Sequence, residues 1–198
     1  MGKLHFFYGT MASAKSATLL MKAHQFESTG EKCLVLKPSF DTRTDGTIKS
    51  RIGLERKCVL INEDDDIGTI IRNYARLFGT KHVFIDEVQF LKPHMIKDLW
   101  EVTKDKNFDI SVFCFGLKTD YLNNIFETSI QLLIYADSIE ELKSMCRFCN
   151  NKATTHLRVI GDRVIKQGTS YHVGDCIGNE RYISVCQECY QHPPKNLY

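Results

Sequence analysis

A strand–turn–helix stretch at the N-terminus most constrains how this chain can fold. An apolar run, Leu4–Tyr8, leads into a tight turn, and a helix-like run opens at Ala17. The turn between them reads Gly9, Thr10, Met11, Ala12, Ser13, Ala14, Lys15 and Ser16. This order is the setting of a phosphate-binding loop, because the unpaired N–H groups at a helix start attract anions. The stretch therefore predicts an α/β fold with a phosphate site.

The loop departs from the usual pattern at one position. Lys15 and Ser16 supply a cation for the outer phosphates and a hydroxyl for Mg²⁺, but Ala14 replaces the usual glycine before the lysine. A Cβ at that position is harmless if the backbone is already helical there, and costly if φ is positive. A plain strand-to-helix turn stays open as the alternative for the loop taken alone.

A pair of carboxylates follows a second apolar strand. Val83–Ile85 runs directly into Asp86 and Glu87. Ligands of open α/β sheets bind at the carboxyl ends of the strands, so both side chains are expected at that edge. Asp86 is a candidate for holding Mg²⁺ alongside Ser16, and Glu87 is a candidate general base. A surface acidic pair that ends a strand is the alternative.

Apolar strand-like runs alternate with helical runs along residues 1–142. The predicted strands are Leu4–Tyr8, Cys33–Leu36, Val83–Ile85, Ile110–Phe115 and Gln131–Tyr135. The predicted helices are Lys15–Glu27, Ile67–Phe78 and Pro93–Lys104. This alternation predicts a parallel sheet with crossover helices. Residues 41–56 are polar and predict a loop or hairpin.

Two pairs of cysteines mark a different C-terminal region. The eight cysteines include two C-x-x-C pairs, Cys146 with Cys149 and Cys186 with Cys189. Two such turns can present four thiolates to one tetrahedral Zn²⁺. We therefore predict a small zinc-containing β-rich domain over residues 143–198, after a nucleotide-binding domain over 1–142. Redox dithiols and free buried thiols are the alternatives, and His192 is a possible substitute ligand.

Composition narrows the classes of partner. The chain has 198 residues, 43% of them apolar, and a net charge of only +2 with basic and acidic residues interspersed. No basic stripe predicts nucleic-acid binding, and no apolar run approaches the roughly 20 residues of a membrane span. No secretory signal follows Met1, and paired cysteines favour metal over disulfides in a reducing compartment. We predict a cytoplasmic protein.

Taken together, these blocks resemble the type II thymidine kinases, the zinc-containing cytosolic class. The resemblance covers nearly the whole chain and depends on the order and spacing of six blocks. They are the loop at 9–16, Lys37-Pro38 with Asp41-Thr42-Arg43, Asp86–Phe90, Gly116–Tyr121, the two cysteine pairs and Gly178–Tyr182. The fold that it implies is a RecA-like sheet with a zinc-containing lasso domain.

The resemblance implies phosphoryl transfer from ATP to the 5′-hydroxyl of thymidine. Loop residues 9–16, with Asp41 and Gln89, would hold the donor, and Ser16 and Asp86 would serve Mg²⁺. Glu87 matches the base, and Lys15 and Arg43 would neutralise charge. Positions around the nucleoside match Gln89, Leu117, Tyr121, Phe126, Val173, Ile177, Gly178 and Tyr182. Aromatic residues such as Tyr121 and Phe126 are also ordinary core residues.

The family is generally tetrameric, is inhibited by thymidine triphosphate and uses Zn²⁺ to anchor its lasso, so the same is expected here. Two other functions stay open. A catalytically impaired protein that binds thymidine nucleotides is suggested by Ala14. A nucleotide-hydrolysing protein whose zinc domain binds nucleic acid is the second.

Overall fold

The computed structural model describes residues 1–39, 46–168 and 179–197, whose centre is a parallel sheet. A one-turn 3-10 helix spans Val88–Phe90. The other elements are β1 Leu4–Gly9, α1 Lys15–Ser28, β2 Lys32–Pro38, β3 Thr47–Lys49, β4 Glu55–Lys57, β5 Val59–Ile61, α2 Ile67–Phe78, β6 Thr80–Ile85, α3 Pro93–Lys104, β7 Ser111–Gly116, α4 Glu127–Tyr135, β8 Ser138–Leu142, β9 Thr155–Ile160, β10 Arg163–Ile165, β11 Glu180–Val185 and α5 Gln187–Gln191.

Six strands pair in the order β5-β2-β6-β7-β1-β8, and every pair is parallel. The predicted α/β sheet with crossover helices is therefore confirmed. β1 precedes the phosphate loop and β6 precedes Asp86, and only β7 lies between these two strands. Because parallel strands end at one edge, the loop and the carboxylates are brought together there.

The sheet is covered on both faces, which explains why its inner strands are continuously apolar. On one face, Phe6, Leu36 and Ile85 pack with residues of α2, α3 and α4, such as Ile71, Leu99 and Leu132. On the other face, Phe7, Phe84 and Phe113 pack with Leu19, Leu20 and Ala23 of α1. Each strand thus sends alternate side chains into two separate cores.

Local signals explain where several helices begin and end. The Asp66 carboxylate accepts the N–H of Thr69 at the start of α2, and Gly79 ends that helix in the left-handed region. Pro93 lies in the first turn of α3, as the sequence predicts. Gly30 has φ 88° just after α1, as expected of a glycine beyond a helix end.

One predicted strand is wrong. Gln131–Tyr135 belongs to α4, and the sixth strand is β8, three residues further on. A short apolar run fits a buried strand or a buried helix equally well, so periodicity could not decide. β8 lies at the sheet edge, with Ser138, Ile139 and Glu140 exposed, and carries no apolar signal.

The predicted hairpin in residues 41–56 is confirmed where the structure describes it, because β3 pairs with β4 in antiparallel register. After residue 142 the chain forms a three-stranded antiparallel sheet, β10-β9-β11, and then α5. We call residues 143–168 and 179–197 the cysteine module. Its own apolar cluster includes Leu157, Val159, Val185 and Leu197. Among the described residues, no helix is long and apolar enough to cross a membrane.

Candidate active site

The phosphate loop has two left-handed alanines. Ala14, the last residue before α1, has φ 60° and ψ 25°, and Ala12 has φ 63°. The backbone at Ala14 is therefore the one in which a Cβ is costly, by about 1–2 kcal/mol per residue. Both alanines are exposed, so their methyl groups meet no neighbouring core. Alanine thus occupies a backbone conformation in the loop that usually belongs to glycine.

Close packing explains the glycine that the loop does keep. A Cβ on Gly9 would collide with the Ser13 hydroxyl and would lie 2.5 Å from the Leu142 carbonyl oxygen. Ser13 is buried, and its hydroxyl has no hydrogen-bond partner among the described residues. Ala14 also offers no side-chain cap to α1. A polar atom left over beside an uncapped helix start fits an anionic ligand.

Lys15 lies against this loop. Its side chain is buried, and its Nζ donates a hydrogen bond to the Thr10 carbonyl oxygen at 2.8 Å. The ammonium group therefore lies over the turn that the sequence predicts to bind phosphates. A buried cation at a helix N-terminus adds to the positive end of the helix dipole, so the loop is a site for negative charge.

The loop and the carboxylate edge meet through Ser16 and Asp86. The Ser16 hydroxyl donates to Asp86 Oδ2 at 2.7 Å. Burial of Asp86 and the neighbouring Glu87 charge raise its pKa to about 6, although Ser16 and Lys15 oppose the shift. A hydroxyl and a buried carboxylate form the oxygen set that Mg²⁺ prefers. The residues present therefore fit the predicted cation.

Glu87 is held in a fixed position at the same edge. It has φ 50°, a left-handed conformation rare outside glycine. Its Oε2 accepts a hydrogen bond from Gln89 Nε2 at 2.7 Å, and Gln89 Oε1 accepts the Leu117 N–H at 3.0 Å. Gln89 thus ties the carboxylate to the end of β7. Strained backbone of this kind clusters at functional sites.

The aromatic residues named from the sequence form two pairs. Tyr121 and Tyr182 meet edge to face with ring centroids 6.2 Å apart, and Phe90 and Phe126 do so at 6.3 Å. Tyr121 is buried, and its hydroxyl donates to the Gln167 carbonyl oxygen at 3.3 Å. The Ser129 hydroxyl donates to the Leu117 carbonyl oxygen near the same strand end.

Five predicted site residues lie outside the described residues. They are Asp41, Arg43, Val173, Ile177 and Gly178. The structure brings together the loop, Asp86, Glu87 and Gln89 at one edge of the sheet, and it places Tyr121 against Tyr182 of the cysteine module. The assignment of a role to each of these residues stays a prediction.

The four paired cysteines converge on one point. The Sγ atoms of Cys146, Cys149, Cys186 and Cys189 all lie within 4.8 Å of one another. Cys149 Sγ is 3.6 Å from Cys186 Sγ and 3.8 Å from Cys189 Sγ. A tetrahedral site with Zn–S bonds of about 2.3 Å has sulfurs about 3.8 Å apart, so the spacing fits Zn²⁺. His192 is not in this group.

The chemistry of the sulfurs also fits a cation. Burial raises the pKa of Cys146, but N–H groups such as that of Phe148, which donates to its Sγ at 3.5 Å, outweigh burial and lower the pKa to about 6. Burial and the neighbouring thiols raise the pKa of Cys189 to about 12. Four thiolates cannot share this space without a positive charge between them, and a bound Zn²⁺ would supply it.

Contacts between the cysteine module and the phosphate loop were not predicted from the sequence. The Met11 N–H donates to His156 Nε2 at 2.6 Å, and the Ser184 hydroxyl donates to the Met11 carbonyl oxygen at 2.5 Å. The hydroxyls of Thr10 and Ser144 are 2.5 Å apart. Nothing in the sequence around His156 links it to a loop 145 residues away.

Arg158 is a second residue that sequence reasoning missed. It is buried and pairs with Glu180, with Nε 2.7 Å from Oε1. Its Nη1 also donates to the Tyr121 hydroxyl at 3.2 Å, and its guanidinium lies over the Tyr121 ring. A buried, paired arginine is a signal, but only the fold reveals the burial.

Comparison with known proteins gives a consistent result. A family model described as "TK: Thymidine kinase" matches residues 2–190. The chain is 40% identical over 194 residues to "Thymidine kinase" of Streptococcus agalactiae serotype Ia, spanning 98% of this chain and 99% of that protein. It is 39% identical over 197 residues to the Streptococcus gordonii protein of that name, spanning 99% and 100%. It is 38% identical over 200 residues to the Lactobacillus acidophilus one, spanning 98% of each.

Proposed function

The chain belongs to the thymidine kinase family, and we propose that it transfers the γ-phosphoryl group of ATP to the 5′-hydroxyl of thymidine. One observation carries this proposal beyond family membership. The Ser16–Asp86 hydrogen bond joins the phosphate loop to the carboxylate edge, with Glu87 next in the chain. The residues proposed for the donor site, for the cation and for the base thus lie at one edge of the sheet.

Residues 9–16, which include Lys15, are proposed to bind the donor phosphates. Backbone N–H groups at the start of α1 and the Lys15 ammonium would offset charge that grows during transfer, which is where phosphoryl transfer needs the most help. Ser16 and Asp86 would hold Mg²⁺, which neutralises the phosphates when bound. Asp41 and Arg43 keep the roles near the phosphates that the resemblance implies.

Glu87 is proposed to accept the proton of the thymidine 5′-hydroxyl. Gln89 holds one of its oxygens, so the carboxylate is positioned before the substrate arrives. Pre-positioning of this kind reduces the entropy lost on reaching the reactive geometry. A late proton transfer in a loose transition state does not require a strongly shifted pKa.

The nucleoside pocket is proposed to include Gln89, Leu117, Tyr121 and Phe126 from the sheet side. Val173, Ile177, Gly178 and Tyr182 would close it as part of a lasso over residues 173–182. The four cysteines would hold Zn²⁺ close to the end of this segment, since Cys186 directly follows β11. A metal that closes a long loop reduces the entropy cost of ordering it.

Further features come from the resemblance and are part of the proposal. The four-cysteine group supports membership of the zinc-containing type II class, with a nucleotide-binding domain over 1–142 and a lasso domain over 143–198. We also propose a homotetramer, feedback inhibition by thymidine triphosphate and a cytoplasmic location, the last because paired free thiols suit a reducing compartment.

Replacement of the proposed base tests this function. Glu87→Gln should lower kcat by about two to four orders of magnitude, the range expected for a lost general base, while thymidine and ATP still bind. The measurement is thymidine-dependent ADP release, with binding followed by calorimetry. Near-normal turnover of the variant would remove Glu87 from this role. Glu101→Gln, on the outer face of α3, is the matched control and should turn over normally.

The same assay separates the other two functions. Intact thymidine and nucleotide binding without turnover in the unmodified protein would indicate a binding protein. ADP release that ignores thymidine, together with salt-dependent oligonucleotide binding, would indicate a nucleotide-hydrolysing protein that binds nucleic acid. Ala14 has the left-handed backbone that glycine adopts readily, which argues against an impaired loop and so favours the kinase.

A further inference from the structure

We infer that His156 is a positioning residue of the phosphate loop, which it holds in its phosphate-binding conformation by accepting the N–H of Met11. What the loop binds rests on the proposed function. The hydrogen bond and its effect on the shape of the loop do not, since both can be measured without turnover. His156 is on β9 of the cysteine module, outside every motif that marked the site in the sequence.

The contacts between the loop and the cysteine module concentrate on Met11 and its neighbour Thr10. Met11 donates its N–H to His156 and accepts at its carbonyl oxygen from Ser184, so both of its backbone polar groups are bound to the module. The Thr10 side chain contacts the Ser144 hydroxyl. Two consecutive residues of the loop are therefore fixed from three separate segments of the cysteine module.

These contacts lie immediately before the strained part of the loop. Ala12, the next residue, and Ala14 both have left-handed backbones, and α1 begins directly after Ala14. An alanine keeps such a conformation only where its surroundings impose it. His156 binds the Thr10–Met11 peptide and Ser184 binds the Met11–Ala12 peptide, the two peptide units that precede the first strained residue. These two units set the direction from which the chain enters the turn.

His156 is suited to accept this hydrogen bond. The side chain is buried, and burial together with the positive charge of Lys15 lowers its pKa to about 3, so the ring is neutral at physiological pH. A neutral imidazole has one acceptor nitrogen, whereas an imidazolium has none. Because Nε2 accepts from Met11, the ring proton is on Nδ1.

The neighbouring residues of β9 provide an internal comparison. Arg158 lies two positions further on and contacts Tyr121 and Glu180 instead of the loop. Leu157 and Val159 pack into the core of the cysteine module. Residues two apart in a strand share a face, so one face of β9 contacts the donor loop through His156 and the nucleoside pocket through Arg158.

Two substitutions test the role of His156. His156→Leu removes the acceptor, and His156→Gln offers a neutral oxygen at a similar reach. We expect His156→Leu to raise KM for ATP by about tenfold, the effect of one lost buried hydrogen bond, with KM for thymidine changed less than about twofold. His156→Gln should recover most of the loss. Amide exchange at Met11 should be fast in the Leu variant and slow in the Gln variant.

Arg158→Met is the matched control, because it is equally buried on the same strand face. It should raise KM for thymidine and leave Met11 exchange slow. If His156→Leu folds poorly, Ser184→Ala replaces it, since this variant removes the donor to the Met11 carbonyl oxygen and should speed exchange across residues 10–14. Zinc content, measured for every variant, should stay at the level of the unmodified protein.

Two results would overturn the inference. One is a folded His156→Leu variant in which Met11 exchange and binding of a non-hydrolysable ATP analogue are unchanged. The other is an equal rise in KM for both substrates, which would indicate a general structural role. Failure of the proposed function looks different, because thymidine-dependent turnover would then be absent from the unmodified protein while Met11 exchange still responded to His156→Leu.

Discussion

The phosphate loop and the cysteine cluster are opposites in construction. The loop is eight consecutive residues, yet its shape depends on Ser144, His156 and Ser184, more than 130 residues away. The cluster joins two pairs separated by a long segment, yet each pair is a short turn whose sulfurs accept local backbone N–H groups. A motif that is continuous in sequence can thus depend more on the tertiary structure than one that is divided.

The difference arises from the forces that hold each site together. The four cysteines have the ligand type and spacing that suit Zn²⁺, and these two properties are enough to define the cluster. The loop contains two left-handed alanines, a backbone that alanine seldom adopts, and one turn hydrogen bond inside the loop runs from the Ser13 N–H to the Thr10 carbonyl oxygen at 3.2 Å. Contacts from the cysteine module add a further constraint on the same turn. We therefore expect that disruption of the cysteine cluster changes the conformation of the loop, and that changes in the loop leave the cluster intact.

The largest expected effect is loss of the metal. Cys149→Ser should reduce bound zinc from about one per chain to nearly none, because a structural Zn²⁺ site needs all four thiolates. Residues 150–168 and 179–185 should lose order, and Met11 exchange should become fast as the module releases the loop. Zinc analysis and amide exchange measure the two effects. Full zinc content in the variant would refute the four-cysteine site.

The control for this experiment is Cys33→Ser. Cys33 lies at β2, away from the cluster, and its Sγ contacts the Ala23 carbonyl oxygen, which a hydroxyl can also do. Zinc content and Met11 exchange should both be unchanged. A zinc-free Cys149→Ser protein that still protects Met11 would break the proposed dependence of the loop on the cluster.

Acid should lower the stability of the protein through His156, which contacts the phosphate loop. The pKa of His156 is about 3 when folded and near 6.5 when unfolded, so below pH 6.5 the unfolded chain binds a proton that the folded one does not. Stability is therefore lost as pH falls, by about 1.4 kcal/mol between pH 7.5 and 5.5. Glu141, Lys118 and Tyr8 line the cleft beside His156, and Lys15 opposes its protonation.

Denaturant unfolding of the unmodified protein and His156→Gln at both pH values measures this loss. The variant lacks the titrating group but keeps Asp86 and the thiols, whose own pH dependence then cancels in the difference. An equal loss of stability in both proteins would show that His156 does not stay neutral in the folded state.

The smallest expected effect is a gain. Ala14→Gly should stabilise the protein by about 0.5–1 kcal/mol, because relief of the left-handed strain exceeds the extra entropy that glycine loses on folding. A rise in Tm of a few degrees is the measure. Ala75→Gly in α2 is the control and should lower Tm, since glycine weakens a helix interior. A fall in Tm for Ala14→Gly would contradict the strained backbone at this position.

Prediction from sequence succeeded for strands that are buried on both faces and for a helix with one regularly spaced apolar face. The runs Leu4–Tyr8 and Val83–Ile85 are strands of the central sheet, and Ile67–Phe78 is a helix with the predicted bounds. The edge strands β5 and β8 were not predicted, β5 because its apolar run is only three residues long and β8 because it is mostly polar and exposed. The run Gln131–Tyr135 was predicted as a strand and is part of helix α4, because it is too short and too uniformly apolar to distinguish helix from strand.

For the site, residue types alone predicted the loop, Asp86 with Glu87, and the four cysteines. The residue types and their spacing indicate the chemistry of each group, and the structure brings the members of each group together. Gln89 was named, but its position between Glu87 and Leu117 was not. His156 and Arg158 were not named, because a buried polar side chain looks like any strand residue until its partner is known.

Periodicity and residue spacing are local properties of the chain, so they were enough to predict the family, the parallel sheet and the four-cysteine cluster. The left-handed backbone of Ala14, the hydrogen bond from Ser16 to Asp86 and the contact of β9 with the phosphate loop became apparent only in the fold. These are contacts between segments far apart in sequence. Their energies depend on burial and geometry, which exist only once the chain has folded.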